Sequence, residues 1–164
     1  MPRYGIDIHG TLAERQPDGT QGPSTLFPLL KPLMKAWVRK SQHVFIVSGP
    51  PKDVIEAELK ALGLERFHHY HAIISVVDEL KEQGVPLTER PPGSGHWWTE
   101  TDKEWNDAKG KICKDYGIDI LVDDQLEYAD AMPEWTQFVH VTADVLHQDQ
   151  DQYKTAAAKM LGGN

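Results

Sequence analysis

Five short runs of apolar, mostly β-branched residues recur along the chain, over 4–8, 44–48, 72–77, 118–122 and 138–141. Each is hydrophobic almost without interruption, and strands covered on both faces look like that; half-exposed strands alternate. Between the runs lie helical patterns over 29–40, 52–62 and 103–116, a shorter one over 78–83, and a last amphipathic stretch over 150–161. Pro28 and Pro32 stand near the first helix's start, and Gly63, Gly117 and the Gly162-Gly163 pair follow helix ends, the expected punctuation. Strand and helix alternating in this way predict an α/β, three-layer sandwich around an open, mostly parallel sheet of about five strands. At 164 residues the chain is expected to be a single domain over 1–164. One segment resists the pattern: "GVPLTERPPGSGHWWTE" at 84–100, rich in Pro and Gly and carrying Trp97 and Trp98, reads as a long, flexible functional loop.

Charge narrows the partners. Seventeen basic and 25 acidic side chains give a net charge of −8, which argues against a grip on a nucleic-acid duplex. A phosphorylated small molecule needs a local cluster of donors, cations or a metal ion to overcome that repulsion. Cys113 is the only cysteine, so no internal disulfide forms. Residues 1–25 hold no basic stretch followed by an apolar run, and no apolar stretch approaches the roughly 20 residues a bilayer requires. A soluble, cytoplasmic protein without membrane contact is expected, with its oligomeric state open.

Ligands of such folds sit at the carboxyl ends of the strands. The residues found there are Asp7, His9, Gly10 and Thr11 after the first run, Ser48, Gly49 and Pro50 after the second, and Asp123 and Asp124 after the fourth. Lys109, from the helix before the fourth strand, is placed to join them; Lys103 and Lys111 compete for that role. Carboxylates crowded together repel unless a cation sits among them, and hard oxygen donors suit Mg2+. A carboxylate beside such an ion can attack phosphorus. Ser48, and the N–H groups of the helix beginning near Pro51, are donors for phosphoryl oxygens. The competing reading of Ser48 is a plain helix cap.

The motifs match a known pattern. "IDIHGT" at 6–11, "VFIVSG" at 44–49 and "KGKICKDYGIDILVDD" at 109–124 resemble, in order, the four motifs of the haloacid dehalogenase-like phosphohydrolase superfamily. The resemblance implies a Rossmann-like sheet and a small-cap or capless enzyme. It implies Asp7 as nucleophile, Ser48 and Gly49 with Thr11 at the phosphate, and Lys109 as the charge-balancing lysine. It also implies Mg2+ held by Asp7, the His9 carbonyl, Asp123 and Asp124, with Asp124 the direct ligand and Asp123 open to a purely hydrogen-bonding role. His9 departs from the family, whose phosphatases carry a second aspartate there as acid and base. Histidine can take both parts, since its unperturbed pKa of about 6.5 lies near working pH.

The expected activity is therefore Mg2+-dependent hydrolysis of a phosphomonoester through an aspartyl-phosphate on Asp7. A nucleotide is the leading substrate, because His96, Trp97, Trp98 and Trp105 offer rings to stack on a base or sugar, while Trp97 and Trp98 equally suit anchoring the loop onto the body. Two alternatives follow from the His9 substitution: a dehalogenase-type hydrolase, and a catalytically weak module that binds a phosphate ligand or a partner. His68, His69 and His71 invite a zinc reading but lack a matching cysteine or acid pattern. Cys113, on the apolar side of a helix, reads as a buried, inert thiol.

Overall fold

A computed structural model describes residues 1–142; the helix expected over 150–161 lies outside the described residues. The chain opens with β1 (Arg3–Ile6), then makes a small antiparallel hairpin of β2 (Ala13–Arg15) and β3 (Gln21–Pro23). It continues through α1 (Phe27–Arg39), β4 (His43–Ser48), α2 (Lys52–Ala61), β5 (Ala72–Ser75) and α3 (Val76–Glu82). A second hairpin, β6 (Leu87–Glu89) and β7 (Trp97–Thr99), leads into α4 (Asp102–Tyr116) and β8 (Ile120–Asp123). A 3-10 segment over Leu126–Ala131 and β9 (Gln137–His140) complete the described elements. The main sheet has the order β5-β4-β1-β8-β9 with every pair parallel, as the five apolar runs predict.

Both faces of that sheet are covered, which is why its strands are hydrophobic throughout. On one face Tyr4, Ile6, Val44, Ile46 and Val122 pack with Leu30, Met34 and Trp37 of α1 and Ile55 and Leu59 of α2. Trp37 is fully buried and stacks on Tyr4, with centroids 4.1 Å apart and planes 6° from parallel. On the other face Val47, Ile74 and Leu121 pack with Leu80 of α3 and with Ala108, Ile112 and Cys113 of α4. Cys113 is fully buried there, and burial pushes its thiol up to about 12, in keeping with an inert side chain.

Three sequence expectations are corrected. The run over 72–77 ends as a strand at Ser75, because the Ser75 hydroxyl accepts the Asp78 N–H at 3.0 Å and starts α3 two residues before the expected helix. The stretch between the first two motifs, where the sequence reads only the helix over 29–40, also forms the β2–β3 hairpin. Its turn is closed by Gln16 N–H donating to the Thr20 carbonyl at 2.8 Å, with Gly19 at φ 85°. Pro17-Asp18-Gly19 was the available signal, since Asp18 accepts from the Thr20 N–H at 3.0 Å as turn aspartates do. The 84–100 segment, expected as a loop, contains the β6–β7 hairpin, in register from Leu87↔Thr99 to Glu89↔Trp97. Thr101 and Glu104 then form a reciprocal capping box that starts α4, and Gly117 ends it in the left-handed conformation.

Candidate active site

Parallel register brings the three motif-bearing strands to one edge. Ile6 lies opposite both Ile46 and Val122, so Asp7, Ser48 and Asp123 follow at neighbouring carboxyl ends, on either side of the point where the strand order reverses. Asp7, Asp123 and Lys109 are all buried. Lys109, on the inner face of α4, donates to Asp7 Oδ1 at 2.9 Å and to Asp123 Oδ2, and its ammonium lies 4.6 Å from the centre of the Tyr128 ring. Burial opposes the ammonium, but Asp7 and Asp123 outweigh it and hold the lysine above its ordinary pKa. The other two lysines face elsewhere: Lys103 pairs with Asp107 in solvent, and Lys111 donates to Gln83 at 2.9 Å.

Asp7, Asp123 and Asp124 each present one oxygen within 4.8 Å of the others. Burial raises the pKa of all three; at Asp7 and Asp123 the Lys109 ammonium is the foremost opposing influence, followed by His9 at Asp7 and by the Gln125 N–H at Asp123. Three carboxylates against one ammonium leave two negative charges in a buried place, an excess that a divalent cation neutralises. Asp123 has both oxygens engaged, Oδ2 by Lys109 and Oδ1 by the Gln125 N–H at 3.0 Å. Asp124 differs: its Oδ1 is buried without a hydrogen-bond partner. Its carboxylate lies against Gly10, where a Cβ would come within 2.0 Å of Oδ2, and Gly10 has φ +80°. The left-handed backbone favours glycine there, and a side chain would displace the Asp124 carboxylate. A free, buried carboxylate oxygen beside two further carboxylates is a donor set that fits Mg2+.

The hydroxyls of Thr11 and Ser48 are fully buried and lack hydrogen-bond partners. Buried polar groups are nearly always paired, so these two hydroxyls at one strand edge have donors to offer to an incoming acceptor. The helix-cap reading of Ser48 is overturned: the N-cap of α2 is Pro51, with no side-chain cap. The expectation of free N–H groups at that helix start needs correction at Lys52, whose N–H donates to Asp78 Oδ2 at 2.9 Å because α3 begins alongside.

His9 turns toward α2, and its Nε2 lies 2.9 Å from Glu58 Oε1. That hydrogen bond, followed in size by opposing burial, leaves the imidazole with a raised pKa. The ring therefore lines a pocket of about 150 Å3 between the β2–β3 hairpin and α2, with Glu58 and Leu62 on the far wall. Glu58 was missed in the sequence. The signal for it is a carboxylate three residues after Ile55 and one before Leu59, on the flank of the buried face of α2. The zinc reading has no support among the described residues: His69 Nδ1 accepts the Glu65 N–H at 3.0 Å, and His71 Nδ1 the Val44 N–H at 3.1 Å.

No family model and no curated protein matches the chain. Solved structures similar to it include a protein assigned to the HAD family hydrolases from Streptomyces avermitilis, at 13% identity and a TM-score of 0.40, covering 80% of this chain and 65% of that one. The chain thus spans just under two thirds of that relative's length. Another is 3-deoxy-D-manno-octulosonate 8-phosphate phosphatase from Moraxella catarrhalis, in complex with magnesium, phosphate and KDO, at 13% identity and a TM-score of 0.41, covering 96% and 92%. A protein assigned the same phosphatase activity from Vibrio cholerae has 12% identity and a TM-score of 0.43, covering 100% and 87%. Likeness at this level carries no argument about chemistry. The chemistry rests with the site's own residues.

Proposed function

We propose that the chain is a Mg2+-dependent phosphomonoester hydrolase of the haloacid dehalogenase-like type, acting through Asp7. One observation carries the reading: the partnerless, buried hydroxyls of Thr11 and Ser48 stand at the same strand edge as three carboxylates that share a single ammonium. Hydroxyls donate to phosphoryl oxygens, and the surplus of carboxylate calls for a divalent ion. Asp7, Asp123 and Asp124, with the His9 carbonyl, would hold Mg2+, which supplies charge neutralisation for a bound phosphoryl group.

The remaining steps belong to the chain. Thr11 and Ser48 bind the phosphoryl oxygens, and Lys109 holds Asp7 in place through Oδ1, leaving Oδ2 as the attacking atom. Attack on phosphorus forms the aspartyl-phosphate as the bond to the leaving alcohol oxygen breaks. His9 gives that oxygen a proton. Because Glu58 accepts from Nε2, the transferring atom of the imidazole is Nδ1. Water then attacks phosphorus, returns a proton to His9, and frees phosphate and the Asp7 carboxylate. A dehalogenase-type displacement at carbon needs no cation, and the orphaned Asp124 oxygen favours the metal-dependent reaction over it. Rings at the site's rim favour a nucleotide among the phosphomonoesters.

A phosphate-release screen over nucleoside monophosphates and sugar phosphates tests this, run with Mg2+, with chelator, and with Asp7→Asn. Release that needs Mg2+ and vanishes in the variant is expected. Activity that survives the chelator, or no release from any ester, ends the proposal.

A further inference from the structure

Trp97 and Trp98 are neighbours on β7, so their side chains project from opposite faces of the hairpin. Their surroundings separate them. Trp97 is partly buried, with the Lys81 ammonium of α3 4.0 Å from its ring centre. Trp98 is turned to Trp105, with centroids 5.7 Å apart and planes inclined by 42°, and it remains 47% exposed.

Trp105 ties that exposed ring to the phosphate site. It lies four residues before Lys109, and so on the same face of α4 one turn nearer the helix start. Its ring packs on Gly49, where a Cβ would meet Cζ2 at 3.1 Å. Its Nε1 donates to the Tyr128 hydroxyl at 3.1 Å, and the Tyr128 ring in turn receives the Lys109 ammonium. Contact is therefore continuous from Asp7 and Lys109, through Tyr128 and Trp105 beside Gly49, to a half-exposed indole at the rim. A large aromatic surface held at an angle by a second ring, which itself packs on Gly49 next to Ser48, is suited to stacking on the planar group joined to a phosphate bound at that strand end.

We infer that Trp98 is the platform for the base of a nucleoside monophosphate, while Trp97 anchors the hairpin that carries it. The inference rests on the phosphomonoesterase reading and names its substrate class. The chain's net charge of −8 sets monophosphates ahead of esters bearing additional phosphates.

The test compares kcat/KM for AMP, GMP, CMP and UMP with that for ribose 5-phosphate, which has the same phosphorylated sugar and no base. In the wild type the nucleotides are preferred. Trp98→Ala lowers kcat/KM for nucleotides on the order of tenfold more than for ribose 5-phosphate, mainly through KM, and Trp98→Phe restores most of the difference. Trp97→Ala lowers the thermal midpoint and keeps the nucleotide preference. If Trp98→Ala affects both substrate kinds alike, or if ribose 5-phosphate or a phosphotyrosine peptide is preferred over every nucleotide, the platform is overturned and the hydrolase reading stands. If Mg2+-dependent release is absent for every ester, both fall together.

Discussion

Lys109 Nζ lies 2.9 Å from Asp7 Oδ1, joining residues 102 positions apart in the chain inside a buried site. The ammonium is the only cation holding that cluster of carboxylates together among the described residues. Replacing it by Met removes the charge and keeps most of the volume. Lys109→Met is expected to cost about 3–5 kcal/mol of stability in chelator, because it strands buried carboxylates. The loss should be smaller in Mg2+, and urea unfolding in the two media measures both.

Magnesium itself should stabilise the native protein alone, since the three oxygens are gathered only by the fold. At a hundred times the dissociation constant the expected gain is about 2.7 kcal/mol. Asp124→Asn should lose most of that gain, because it alters the one carboxylate whose Oδ1 is buried and unpartnered. Thermal midpoints across a Mg2+ titration give the comparison. An identical shift in the variant would count against Asp124 as a ligand.

Ser48 separates function from stability. Its hydroxyl is buried with no partner, so removing it relieves an unsatisfied group and leaves no cavity larger than one oxygen. Ser48→Ala should therefore match or exceed the wild type in stability, by up to about 1 kcal/mol, while inorganic phosphate binds on the order of tenfold more weakly. Calorimetry of both properties on the same samples would show it.

The His9–Glu58 pair makes a pH-dependent contribution whose sign is determined. The folded pKa of His9 is raised above its unfolded value, chiefly by the hydrogen bond its Nε2 donates to Glu58, so the native state holds the proton more tightly. The pair's stabilisation is complete below the unfolded pKa of about 6.5 and is lost as pH rises through the folded one. Partial exposure keeps it small. In Glu58→Gln the fall in stability over that range should flatten, which denaturant unfolding between pH 5 and pH 8.5 would register.

Asp7→Asn should lower phosphate release on the order of a thousandfold or more, through kcat, with near-normal folding. Far-UV circular dichroism beside the phosphate assay distinguishes this from simple unfolding.

The amino-acid order was enough to place the five parallel strands, the helices between them and the strand-end residues Asp7, Ser48, Asp123 and Asp124. Those features are encoded locally, in runs whose continuous hydrophobicity reports burial on both faces and in the residues that immediately follow them. The β2–β3 hairpin was legible only in the chemistry of Pro17, Asp18 and Gly19, and was outweighed by the longer helical pattern after it. Tertiary structure alone decided which of three lysines faces the carboxylates, because helical phase relative to the sheet depends on how α4 packs. It also decided that Glu58 meets His9, that Trp105 bridges Gly49 and Trp98, and that Thr11 and Ser48 are left without partners. Each of these depends on distances between residues remote in the chain, and local preference contains no information about such distances.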